Sequence, residues 1–144
     1  MTSQTQTSTD VSREIRMELP AVPESILQAG RAIRCIGRSI DLSRSVTERV
    51  ARAVCEVVLN ACTYAYRTDS GTVVLRVTHD AERLQIEVTD FGRGFKSDDY
   101  FLADGSRGPK AHPHSGLFIA AEAVDRLTVE SGSTGTTVRM IKRI

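Results

Sequence analysis

Between Ser45 and Tyr66 apolar residues return every three or four positions, at Val46, Val50, Ala53, Val54, Val57, Ala61 and Tyr64 or Ala65. Strand side chains alternate with a period of two, so no strand accommodates that spacing, whereas an α-helix with one buried face does. A helix of about six turns needs an apolar surface to lie on, because most helical stability comes from packing that face. The rest of the chain must therefore supply the surface.

Glu14 to Leu19 alternates Ile15, Met17 and Leu19 with charged residues, the pattern of a half-buried strand. Pro20 and Pro23 end it, and Glu24 opens a helix in which Ile26, Ala29, Ile33, Ile36 and Ile40 recur at helical spacing. Arg31, Arg34 and Arg38 form a basic stripe on its opposite face, a solvated face or a surface for a protein partner. After the long helix, Thr68-Asp69-Ser70-Gly71 reads as a turn. Thr72 to His79 and Arg83 to Asp90 read as a β-hairpin joined by Asp80-Ala81-Glu82. From Phe91 to Pro113 the periodicity lapses and glycine and proline accumulate, as in a binding loop or lid. Gly116 to Val124 reads as a short helix, Leu127 to Ser131 as a strand, Gly132 to Gly135 as a turn and Thr136 to Lys142 as a closing strand. The order β-α-α-β-β-loop-α-β-β predicts an α/β (α+β) two-layer sandwich, with helices on one face of a mixed, mainly antiparallel sheet.

A length of 144 residues fits one domain. Residues 1–12, rich in Thr, Ser and Gln, are expected to be a disordered tail, leaving 13–144 as the domain. The net charge of +1 argues for no direct nucleic-acid or membrane partner. No run approaches the length of a membrane span and the start lacks the plan of a secretory signal, so a cytoplasmic location is expected. Cys35, Cys55 and Cys62 lie in apolar helical patterns and are expected to be reduced core thiols.

Four features could carry chemistry. Glu56 and Asn60 stand four apart on the long helix, so both project from one face: an amide oxygen able to ligate a hard cation, and a carboxylate able to take a proton. Asp90 ends a strand and is followed by Phe91-Gly92-Arg93-Gly94-Phe95. The glycines let a flat ligand approach closely, and the carboxylate can accept a hydrogen bond from an exocyclic amine such as adenine's. Gly116-Leu117 opens a helix whose free N–H groups and dipole suit phosphate, with Arg107 and Lys110 upstream. Gly135-Thr136-Thr137 leads the last strand and could turn a hydroxyl toward Asp90. His112 and His114 form a His-x-His pair with no nearby cysteine or carboxylate pair, which falls short of a metal site.

Taken in order, Glu-x-x-x-Asn-Ala on a helix, Asp-x-Gly-x-Gly-Phe after a hairpin, Gly-Leu entering a helix and Gly-x-Thr in the last strand resemble the GHKL ATPase superfamily. Its histidine kinase-like (Bergerat) ATPase fold is a two-layer sandwich of this kind. Within it, Glu56-Val57-Val58-Leu59-Asn60-Ala61-Cys62-Thr63-Tyr64-Ala65-Tyr66 and Gly135-Thr136-Thr137-Val138-Arg139-Met140 look like the anti-sigma factor serine/threonine-protein kinases. The resemblance covers residues 14–144.

The resemblance implies ATP and Mg2+ as cofactors and a serine of an anti-sigma factor antagonist (STAS-type) as phosphoacceptor, with a sigma factor as second partner and a homodimer as assembly. It assigns Asn60 to Mg2+, Glu56 to general base, Asp90 to the adenine amine, Gly92 and Gly94 to the adenine pocket, Gly116 and Leu117 to the phosphates and Thr137 to the support of Asp90. Relatives carry a glycine-rich lid where this chain has Ala111-His112-Pro113-His114-Ser115-Gly116, and many have a histidine in place of Tyr64. A lid so poor in glycine admits an alternative role: a nucleotide-sensing or protein-binding regulator of the same fold that transfers no phosphate.

Overall fold

The computed structural model describes residues 13–65, 71–92 and 116–144, which run β1 (Arg13–Pro20), α1 (Pro23–Ser39), α2 (Arg44–Asn60), a π-helical turn (Ala61–Ala65), β2 (Thr72–His79), β3 (Arg83–Asp90), α3 (Gly116–Ala123), β4 (Arg126–Gly132) and β5 (Gly135–Arg143). The expected tail 1–12, most of the turn at 68–71 and most of the long loop, including the lid at 111–115, lie outside the described residues.

Local chemistry explains the boundaries. Pro23 starts α1, where its missing N–H is no loss and its fixed φ suits the first turn. Ser43 caps α2 by accepting a hydrogen bond from the Val46 N–H at 3.3 Å. In the β2–β3 turn, Asp80 Oδ1 accepts from the N–H groups of Glu82 at 2.8 Å and Arg83 at 3.0 Å, which fixes the hairpin register.

The five strands lie in the order β1-β2-β3-β5-β4, and every pairing among them is antiparallel. Among the described residues the sheet is wholly antiparallel, within the mainly antiparallel two-layer sandwich that the sequence suggested. The crossover through α3 leaves β3 and β4 running the same way, but β5 inserts between them and is antiparallel to both.

All three helices cover one face of the sheet. That face presents Leu19 from β1, Val73, Leu75 and Val77 from β2, Leu84, Ile86 and Val88 from β3, and Val138 and Met140 from β5. Helix α2 contributes Val50, Ala51, Ala53, Val54, Val57 and Val58, α1 contributes Ala29, Ile33 and Ile36, and α3 contributes Leu117 and Ala120. Each buried Val, Leu or Ile contributes about 1.5–3 kcal/mol of hydrophobic stabilisation, so this layer contact dominates the fold. The opposite face carries charge: Arg76 pairs with Glu14 at 2.7 Å and Glu87 at 3.0 Å, and Glu87 with Arg139 at 2.6 Å, a ladder across four strands. The three cysteines are free, but only Cys55 and Cys62 are half-buried. Cys35 is exposed, because it falls on the solvent side of α1 one position away from Ile36.

Helices α1 and α2 run antiparallel and meet at two α1 glycines. A Cβ on Gly30 would reach 3.1 Å from Cys55 Sγ, and one on Gly37 would reach 2.5 Å from Thr47 Oγ1 and 2.6 Å from its Cγ2. Gly37→Ala gains up to about 1 kcal/mol of helix propensity but overpacks a buried, β-branched neighbour, which costs about 1–3 kcal/mol. Urea unfolding of Gly37→Ala is expected to show a net loss of about 1–2 kcal/mol, recovered in large part when Thr47→Ala is added.

Candidate functional site

At one end of the sheet the helix-facing rows change character on adjacent strands at the same level. Along β3 the row Leu84, Ile86, Val88 ends in Asp90, along β5 Met140 and Val138 give way to Thr136, and along β4 Leu127 and Val129 give way to Ser131. The register places Asp90 opposite Thr136 and Thr136 opposite Ser131, so the three polar side chains share the face that elsewhere forms the core.

Asp90 is only 7% exposed. Burial pushes its carboxyl above the usual carboxylate range, and backbone N–H groups of Gly92 and Thr136 pull against that shift by donating to it. The Gly92 N–H lies 3.1 Å from Asp90 Oδ1. Behind the carboxylate the chain approaches so closely that only glycine fits: Gly135 has φ 138°, and a Cβ there would run into the Asp90 carbonyl and lie 2.9 Å from Phe91 Cα. The turn glycine of the last hairpin thus sets where the β3 carboxylate ends up.

Thr137, expected to support Asp90, points the other way. It pairs with Thr89 on the charged face, the two hydroxyls 3.1 Å apart. The neighbouring Thr136 faces Asp90: it is buried, and its hydroxyl lies 2.6 Å from Ser131 Oγ. Sequence reasoning held Thr136 only within the Gly135-Thr136-Thr137 motif, gave the role to Thr137, and missed Ser131. The signal that finds them is parity, since Val138 and Met140 are core residues and positions 136, 138 and 140 share a face.

The second wall comes from the helices. Glu56 and Asn60 are half-buried on α2, and α3 starts against them: a Cβ on Gly116 would lie 3.2 Å from both amide atoms of Asn60 and 3.3 Å from Glu56 Oε2. The opening backbone of α3 therefore reaches a carboxylate and an amide on successive turns of α2, at a spot where any side chain would press on both. Leu117, next in line, is buried and belongs to the core, so any part it plays toward phosphate is through its backbone. Helix α2 then passes directly into the π-helical turn at Ala61–Ala65, an irregularity frequent at functional sites. Gly94, Arg93, Phe95, Arg107, Lys110, His112 and His114 lie outside the described residues.

This donor set fits a magnesium nucleotide. Asn60 offers an amide oxygen to a hard cation that usually completes its shell with water and phosphate. The opening N–H groups of α3 offer anion binding beside it. Asp90, recessed and already holding two N–H donors, offers an acceptor to an amine.

Residues 19–142 match the histidine kinase-like ATPase domain family, HATPase_c_2. The chain belongs to this family, and so to the GHKL superfamily its motifs resemble. Among solved structures it is similar to the RsbU and RsbW domains of Rv1364c from Mycobacterium tuberculosis, with TM-score 0.68 and 21% identity over 91% of this chain and 32% of that one. It is also similar to the histidine kinase domain of the Erythrobacter litoralis EL346 blue-light activated histidine kinase, with TM-score 0.55 and 25% identity over 86% of this chain and 61% of that one. The mycobacterial sensor histidine kinase MprB matches with TM-score 0.53 and 18% identity over 92% and 97%. The chain thus spans about a third of the first of these structures and about three fifths of the second. A comparison with curated proteins found none that matches. Among the described residues no helix is long and apolar enough to cross a membrane.

Two outcomes follow from the Asp90 environment. A carboxyl raised by burial stabilises the fold below its unfolded pKa, near 4, and that contribution is lost as pH rises through the higher folded value. Asp90→Asn is therefore expected to be more stable than wild type at pH 7, with the difference shrinking as pH falls to about 4, in thermal unfolding followed across that range. The parity argument predicts that Thr136→Val weakens adenine-nucleotide binding by about tenfold, the equivalent of one lost hydrogen bond, while Thr137→Val changes it less than twofold in the same titration.

Proposed function

We propose that the protein is an anti-sigma regulatory factor of the cytoplasm that binds ATP with Mg2+ and phosphorylates a serine of a STAS-type antagonist. Partner switching between antagonist and sigma factor would then control transcription. The reading is carried by one observation, the convergence of Glu56, Asn60 and the Gly116 backbone. Similarity to a structure whose description includes an RsbW domain supports it, as do the Glu56–Tyr66 and Gly135–Met140 segments. A homodimer is part of the same proposal.

When bound, ATP would supply the transferable γ-phosphoryl group and Mg2+ would neutralise its charge. Asp90 orients the base edge by accepting a hydrogen bond, and its burial makes that acceptor selective, because a ligand lacking the amine leaves a desolvated carboxylate unpaired. Gly92, with Thr136 in the place foreseen for Thr137, would border the pocket that holds the base. Asn60 would hold the cation and the start of α3 would receive phosphate oxygens. Glu56 accepts the proton of the acceptor serine as the serine oxygen forms its bond to γ-phosphorus and the bond from γ-phosphorus to the ADP oxygen breaks.

Calorimetry with ATP and ADP, with and without Mg2+, tests the site. Wild type is expected to bind in the micromolar range, Asp90→Asn to lose binding and Asn60→Ala to lose only its Mg2+ dependence. Glu56→Gln is expected to keep ATP affinity within about twofold while transfer of labelled phosphate to a STAS-type antagonist falls at least about a hundredfold. Folded wild-type protein that binds no nucleotide would overturn the reading. Nucleotide binding without transfer to any STAS-type protein would favour the non-catalytic regulator that Ala111 to Ser115 suggests.

A further inference from the structure

Between Arg31 and Arg52 the sequence holds six arginines, at 31, 34, 38, 44, 49 and 52, against two acids, Asp41 and Glu48. That is a surplus of four positive charges in a chain whose net charge is +1, so the remainder carries a net charge of −3. The fold gathers this surplus on one surface. Helices α1 and α2 are antiparallel neighbours, clipped on their outer side by Arg34 Nε and Glu48 Oε2 at 2.8 Å. Arg31, Arg38, Arg44, Arg49 and Arg52 are all exposed and make no ion pair among the described residues. Arg31 follows Gly30 on α1 and Arg52 stands three positions before Cys55 on α2, the two residues where the helices meet. Two exposed leucines lie toward the same end of the layer, Leu27 at 65% and Leu59 at 43%.

Arg49 and Arg52 also share the outward arc of α2 with Glu56 and Asn60, since Arg52 is one turn and Arg49 two turns before Glu56. Helical spacing thus sets the arginines one and two turns from the candidate site along the same helix.

We infer that the outer face of α1 and α2 docks an acidic protein surface and leads it to the Glu56 end of the site. Arginine suits such a contact, because its fork pairs carboxylates in bidentate fashion and it is enriched at protein interfaces. The leucines distinguish a protein from a nucleic acid: they add apolar contact of the kind found at interface centres and find no partner along a phosphate backbone. The low overall charge also gives little long-range attraction to a polyanion. The surface requires no phosphoryl transfer, so binding measured without nucleotide separates it from the reading of the site.

The test is fluorescence anisotropy on the full chain with three labelled probes: a peptide with one serine between two runs of glutamate, the same peptide with glutamine for glutamate, and a short DNA duplex. Wild type is expected to bind the glutamate peptide at least about tenfold more tightly than the glutamine peptide, with the preference declining as salt rises. Arg31→Glu/Arg38→Glu/Arg52→Glu is expected to abolish the preference, and Arg31→Gln/Arg52→Gln to reduce it with less perturbation of the fold. Arg83→Glu/Arg126→Glu, exposed on the sheet side, is expected to leave it unchanged. Equal binding of the two peptides, tighter binding of the duplex than of the glutamate peptide, or equal loss in the sheet-side variant would overturn the inference.

Discussion

Everything in the structure is positioned by the burial of helix α2 on two sides. Val50, Val54, Val57 and Val58 are at most 2% exposed, which leaves the helix no freedom to rotate or slide without opening cavities that cost several kcal/mol. The opposite arc, with Glu56 and Asn60, is therefore fixed relative to the sheet by residues that take no part in chemistry. On one flank α1 comes close enough to need Gly37 against Thr47 and to sit tightly at Gly30, and on the other α3 packs tightly at Gly116. A site built on such a helix inherits the rigidity of the core, the condition for holding reacting groups in register.

The sheet contributes the second wall by a change of residue type along rows already aligned for packing. Asp90, Thr136 and Ser131 occupy places that the pattern of their strands would give to apolar side chains. Burial disfavours the ionised Asp90, and the Gly92 and Thr136 N–H groups offset that only in part, as the upward direction of its pKa shows. A residue chosen for stability would not be a carboxylate here. Local conflict of this kind at the end of an otherwise consistent core marks a functional position.

Much of this was legible in the sequence because periodicity fixes which face of each element is buried. The two long helices, the β2–β3 hairpin and the closing strand pair follow from spacing and turn residues, and Glu56, Asn60 and Asp90 from their places on those elements. What was not legible depends on pairing between distant segments. Thr136 and Thr137 are chemically identical neighbours; parity with Val138 and Met140 puts Thr136 on the core face, but only the register with β3 sets it opposite Asp90. The all-antiparallel sheet depends on β5 inserting between β3 and β4, a choice that neither strand's own pattern records. The π-helical turn after Asn60 has no propensity signature, since Ala61 to Ala65 would read as a continuation of α2. The exposure of Cys35 was hidden for a simpler reason: one position separates it from the buried Ile36.

The two outer surfaces of the sandwich use charge in opposite ways. On the sheet, cross-strand neighbours bring Glu14, Arg76, Glu87 and Arg139 into one alternating ladder in which each charge already has a partner. Exposed pairs of that kind contribute at most about 1 kcal/mol each, yet they leave the surface electrostatically satisfied, and an incoming protein would have to break them to make its own. On the helices, among the described residues, only Arg34 and Glu48 are closed in this way, and five arginines face solvent. Self-repulsion among those arginines gains nothing for the isolated fold, and the buried valines beneath them contribute far more stability than it costs. The core thus supports an electrostatic imbalance that the fold itself does not need, and that imbalance lies on the surface leading to Glu56.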